Sequence, residues 1–129
     1  MVSKKNLTKK IYAIVTTQFE GLHFFKEASG DESFLKYPHR HLFYLKVTIE
    51  QFHDNREIEF INFKRWLESQ PKNKDINYRS CEMIATEIGL KILKKYGNRE
   101  LLVSIMEDGE NGGLITFSFD NNSKLPNIL

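Results

Sequence analysis

The stretch KYPHRHLFYLKVTIE, residues 36–50, decides how the rest of the chain is read. From His39 onward the residues alternate with the period of two that an extended strand imposes. His39, His41, Phe43, Leu45, Val47 and Ile49 share one face, and Arg40, Leu42, Tyr44, Lys46 and Thr48 share the other. The first set is apolar apart from its opening pair of imidazoles, and the second still carries Leu42 and Tyr44, so both faces are expected to be at least partly covered. Histidines two positions apart on a pleated strand sit roughly 6.5–7 Å apart at the backbone, and one metal ion can be gripped by both.

Working outward, KIYAIVTTQFEGLHFF is rich in β-branched and aromatic residues and predicts a long first strand, bulged at Gly21, with Ala13, Val15, Thr17, Phe19 and His23 on one side. Ser29, Gly30 and Asp31 form turns, and the second strand runs from about His39 to Phe52, so the two strands make an antiparallel hairpin. HDNRE is a turn and EIEF a short extended piece. Asn62 is the expected cap of a helix with Phe63, Trp66 and Leu67 on its apolar stripe, ending in SQPKNKD. Ser80 caps a clearer helix, CEMIATEIGLKILKKYG, in which Ile84, Ile88, Ile92 and Tyr96 recur at every fourth residue. Lys94 and Lys95 sit near the negative end of its dipole, and Gly97 is the stop. LLVSIMEDGENGGLITFSFD reads as strand, Gly-rich turn and strand, with Val103, Ile105 and Glu107 on one face and Ile115, Phe117 and Phe119 on one face of the partner. The predicted architecture is α+β: order ββααββ, a four-stranded antiparallel sheet with two helices on one face.

At 129 residues, with 40% hydrophobic and 28% charged residues, the chain fits one domain over 1–129, its core at about 11–119 and its ends short and flexible. A net charge of +2, with basic residues scattered except for Lys4, Lys5, Lys9 and Lys10, predicts no nucleic-acid partner. No apolar run approaches the roughly 20 residues of a membrane span. MVSKKNLTKK lacks the pattern of a signal peptide, and the single Cys81 suits a reducing compartment, so the expected location is cytoplasmic.

His53, in a polar turn, is read as a structural histidine. His23, His39 and His41 differ: one closes the first strand and two open the second, so the hairpin brings them to facing ends. Three neutral imidazoles suit Zn²⁺ with one position left open, the alternative being a chance His-x-His pair in a strand.

FEGLHFF, PHRHLFYLKV, IEFINFK, SCEMIA and VSIMED, taken in order, resemble the motifs of the 6-pyruvoyl-tetrahydropterin synthase and 6-carboxytetrahydropterin synthase family, over residues 11–119. The resemblance implies the tunnelling fold and a catalytic zinc on His23, His39 and His41. It also implies a Thr/Ser-x-Glu-x-Ile-Ala motif at Ser80–Ala85, and a carboxylate, Glu107, that clasps the 2-amino-pyrimidinone edge of a pterin. A carboxylate suits that edge because it accepts two parallel N–H bonds. Without a ligand role Glu107 would be a turn carboxylate beside Asp108, and Glu82 an acid favoured by the helix dipole. Cys81, at the helix start, is either a thiol of depressed pKa or an inert small core residue. The resemblance further implies a homo-oligomer, a hexamer of two trimers or a trimer, with the pocket between subunits.

The chain departs from the family in three places. ESFLKYPHRH has no Cys before the histidine pair, QPKNKDINYRSCE has Asp75 without the His of the family's dyad, and Arg40 replaces the usual Gly between the histidines. A positioned general acid or base is worth about 10²–10⁴ in rate, so the usual carbon–oxygen lyase activity on dihydroneopterin triphosphate is expected to be absent or slow unless a carboxylate such as Glu27 or Glu32 substitutes. Two functions follow: a divergent zinc enzyme acting on a pterin or related nucleotide-derived substrate, or a non-catalytic protein that sequesters a purine-type ligand.

Overall fold

The computed structural model describes residues 6–70, 75–77 and 79–120, excluding the side chains of His23 and of residues 75–77. Two strands of thirteen residues, β1 (Ile11–His23) and β2 (His39–Gln51), pair antiparallel without interruption from Ile11↔Gln51 to His23↔His39. Cross-strand contacts lock this register: Val15 lies opposite Val47, and Phe19 opposite Phe43 with their rings stacked at 5.3 Å. The expected bulge at Gly21 is absent from the hairpin, because Gly21 pairs directly with His41. The irregularity falls on the other edge of β1, between Leu22 and His23, where a short strand β3 (Asp75–Asn77) adds in parallel.

Helix α1 (Phe60–Glu68) starts earlier than its sequence suggests. Glu59, not Asn62, is the cap, and its carboxylate accepts the Asn62 N–H at 2.6 Å. EIEF forms no strand: Phe60 already belongs to the helix, and Glu59 before it keeps an extended backbone as the cap. Ser69 follows as C-cap, and residues 71–74 of SQPKNKD lie outside the described residues. Between β1 and β2, Gly30–Lys36 winds into a 3₁₀ helix that buries none of its side chains.

Helix α2 (Cys81–Tyr96) has the expected ends. The Ser80 hydroxyl accepts from Met83 N, and Gly97 takes φ +88°, a left-handed value that a side chain would oppose. Strands β4 (Leu101–Glu107) and β5 (Asn111–Phe117) complete the sheet, in the order β3-β1-β2-β4-β5. The four long strands pair antiparallel, and the alternation of their apolar residues puts one face of the sheet toward the core.

One core lies between the helices and the inner face of the sheet. Phe43, Leu45, Val47 and Ile49 of β2 meet Leu101, Val103 and Ile105 of β4, and Phe63, Leu67, Ile84, Ile88 and Ile92 cover them. The outer face is barer than the sequence implies. Tyr44 is 40% exposed and Ile14 and Leu114 each 57%, while Arg40 and Lys46 are exposed beside them. At the N-terminal edge Lys9 pairs with Asp54 and Lys10 with Glu100; Lys4 and Lys5 lie outside the described residues.

At the end of the sheet remote from the histidines, Arg99 is buried between α2 and β4. Its guanidinium donates to Glu57 Oε2 at 2.8 Å, to the Glu50 carbonyl at 3.2 Å and to the Tyr96 carbonyl at 2.7 Å, and it stacks over Phe52. One side chain thus ties the end of β2, the loop before α1 and the last turn of α2.

Candidate functional site

The paired ends of β1 and β2 set His23 directly across from His39 at the backbone; the His23 side chain lies outside the described residues. His39 and His41 come together on β2, edge to face, with ring centroids 4.8 Å apart. Each ring is oriented through Nδ1. His39 Nδ1 lies 2.9 Å from the Tyr37 carbonyl and His41 Nδ1 lies 2.6 Å from Asp108 Oδ2. Both partner oxygens can only accept, so Nδ1 carries the proton and the lone pair of each neutral ring is assigned to Nε2. His41 Nε2 is 3.7 Å from Glu107 Oε2.

Glu107 ends β4, opposite Phe43 on β2. From there it borders a cavity of about 420 Å³, lined by His39, Ser80, Glu82, Cys81, Asn111 and Gly112, with Phe24, Phe25, Leu35 and Arg79 closing the wall. Ser80 and Cys81 reach it because α2 begins there. Glu82 is exposed at the rim and rests against β5, where Gly113 leaves the room it occupies: a Cβ on Gly113 would approach the Glu82 side chain to 2.8 Å. Four of the side chains singled out from the sequence, His39, Ser80, Glu82 and Glu107, therefore border one cavity, and His41 adjoins it through Glu107.

Burial first, and then the Glu107 and Glu82 carboxylates, push the Cys81 thiol up to about 12. It is a neutral group whose Sγ lies 3.8 Å from Glu107 Oε1, so the helix start does not activate it as a thiolate. Asp108 is held below the usual carboxylate range by the Leu42 backbone N–H and then by His41. It does not stand out in the sequence, because its partner is 67 residues away. Arg79 was missed too; it lines the cavity and pairs with Glu87 at 2.6 Å. Arg40 lies on the opposite face of β2, 3.9 Å from Glu20, which removes it from the approach to the histidines. Glu27 and Glu32 are exposed, and His53 caps its own turn by accepting from Asn55 N.

No family model and no curated protein matches this chain.

Among the described residues no group of three or more His, Cys, Asp and Glu side chains is arranged to hold a metal, and His23 is not among the side chains described. The donor chemistry at β2 nevertheless fits zinc. Imidazoles that ligate a metal through Nε2 characteristically donate the other N–H to a backbone carbonyl or a carboxylate, and His39 and His41 have one of each. His23, His39 and His41 are the residues that would hold it. Among the described residues no helix is long and apolar enough to cross a membrane.

Proposed function

We propose that this chain is a divergent 6-pyruvoyl-tetrahydropterin synthase-like protein that holds zinc on His23, His39 and His41 and receives a pterin or a guanine-type ring in the adjoining cavity. The observation that carries this reading is the convergence of His39, Ser80, Glu82 and Glu107, from three separate stretches of sequence, on one cavity. Zinc bound there would polarise a carbonyl or hydroxyl oxygen of the ligand.

The chain's own residues supply recognition. Glu107 accepts from the paired N–H groups of the ring, a charge-assisted bidentate contact. The protonated Cys81 thiol beside it steadies the carboxylate without competing as a nucleophile. The Ser80 oxygen is engaged by Met83 N, so its hydroxyl proton is the part that can serve a ring acceptor. Phe24, Phe25 and Leu35 supply the apolar wall that a flat bicycle needs.

The high pKa of Cys81 and the exposure of Glu27 and Glu32 favour a second reading, in which the protein sequesters its ligand without turnover. If it is catalytic, the reaction is a zinc-assisted carbon–oxygen elimination on dihydroneopterin triphosphate or a related substrate.

Calorimetry with neopterin and with GMP, on wild type and Glu107→Gln, tests the ligand reading. Losing a charge-assisted contact costs about 1.5–3 kcal/mol, so the variant should bind roughly 10- to 150-fold more weakly while its thermal midpoint stays close to wild type. Equal affinities would remove Glu107 from the site, and no heat with either probe in wild type would sink the ligand class.

The exposed outer face, with Ile14, Tyr44 and Leu114, and the edge strand β5 support a homo-oligomer that we propose to be a hexamer or trimer. Native mass spectrometry of chain purified from the cytoplasm without added metal or ligand should show several copies, each with one zinc. A metal-free 15.2 kDa monomer would contradict both statements.

A further inference from the structure

We propose that Asp108 is the positioning residue of the zinc site, holding the His41 imidazole in the tautomer and orientation that metal binding requires. This rests on the zinc reading above and goes beyond it by assigning a role to a residue outside the three histidines.

The turn after β4 is built to aim this carboxylate. Asp108 takes φ +54°, which ends the strand and folds the residue back over β2. Its backbone N–H donates to the Leu42 carbonyl at 2.7 Å, its Oδ1 accepts the Leu42 N–H at 3.0 Å, and its Oδ2 accepts His41 Nδ1–H at 2.6 Å. The backbone bond anchors the residue and the other two, one on each oxygen, fix the carboxylate plane, so a rotation that releases His41 also breaks the bond to the Leu42 N–H.

Nδ1 of His41 therefore holds the proton, and the lone pair of the neutral ring stands on Nε2, the nitrogen on the Glu107 side. His39 reaches the same tautomer through a neutral carbonyl. Asp108 gives His41 a carboxylate partner on Nδ1, the kind of outer contact whose loss typically costs a metal site about 10- to 100-fold in affinity.

A hairpin clasp with no bearing on metal would show the same three bonds, so the test has to separate the roles. Asp108→Asn does so. Asparagine is among the residues best tolerated at positive φ, and its Oδ1 can keep the Leu42 bond, but it presents an amide donor to Nδ1. His41 must then accept at Nδ1, and the proton moves to Nε2.

Two readouts apply to the full chain. Long-range ¹H–¹⁵N correlation of the zinc-free, ¹⁵N-histidine-labelled protein, recorded at a pH where its ¹⁵N shifts report neutral rings, reads the tautomer. His41 should be the Nδ1–H form in wild type and the Nε2–H form in Asp108→Asn. Competition with a chromogenic chelator reads zinc affinity, which should fall about 10- to 100-fold in the variant.

Zinc affinity equal in the two proteins, or an unchanged His41 tautomer, overturns the role of Asp108 while leaving the zinc reading intact. A wild-type chain that takes up no zinc overturns both. Should Asp108→Asn fail to fold, Asp108→Glu replaces it. The longer carboxylate keeps an acceptor for Nδ1 but displaces it, so the tautomer should stay and zinc affinity should still fall; full wild-type affinity there overturns the positioning role.

Discussion

A chain carrying His39→Ala and His41→Ala together is expected to lose nearly all of its zinc while keeping its fold. The two side chains supply two of the three proposed ligands, and one remaining imidazole cannot compete with buffer for the ion. Little of the core depends on them. Neither is fully buried, and the hydrogen bonds that hold β1 to β2 are made by the backbone, which the substitutions leave in place.

Metal analysis after dialysis against zinc-containing buffer is the direct measurement. Thermal unfolding is the second: zinc at about 1,000 times its dissociation constant should stabilise wild type by about 4 kcal/mol through mass action and leave the double variant unmoved. Stoichiometric zinc in the variant would end the assignment.

Without zinc, the largest effect on stability is expected at the opposite end of the sheet. Arg99→Ala should cost about 3 kcal/mol in urea unfolding, the low end of the range for breaking a buried ion pair, because the Glu57 side chain is 21% exposed and water can partly replace its partner. Glu57 also gives this clasp a pH signature. Burial alone would raise its pKa, but the Phe52 N–H and the Arg99 guanidinium outweigh that and lower it from the ordinary 4.5. A carboxylate with a depressed folded pKa contributes its full stability above its unfolded value and loses it as pH falls through the folded one. Wild type should therefore weaken progressively below about pH 4.5, and Arg99→Ala should show a shallower acid slope. A variant that unfolds at the wild-type urea midpoint would mean that the three hydrogen bonds of Arg99 are replaceable by water.

The elements that could be read from sequence are those whose signals are local and redundant. The period-two alternation of β2, the Ser80 and Gly97 caps of α2 and the Gly-rich turn between β4 and β5 each depend on neighbours a few residues away. The start of α1 is hidden in the sequence because glutamate is not among the favoured N-caps, yet Glu59 reaches Asn62 N and serves as one. Strand β3 has three residues and no periodicity to detect, and the 3₁₀ turn at Gly30–Lys36 buries nothing that would mark it.

The same distinction holds at the site. His39, Ser80, Glu82 and Glu107 stood out by residue type and by resemblance. Asp108 and Arg99 act through partners distant in sequence, and no pattern near them announces the contact.

The unbroken ladder between β1 and β2 has an evolutionary consequence. The placement of His39 opposite His23 is set by thirteen consecutive backbone pairs that begin at Ile11 and Gln51, so it does not depend on the segment 24–38 that joins the strands. Insertions or deletions in that segment would leave the histidines in register. They would, however, rebuild the wall that Phe24, Phe25 and Leu35 give the cavity. Under the proposed ligand reading, descendants of this chain can therefore change what they bind by altering the length of one loop, without shifting His39 from its place opposite His23.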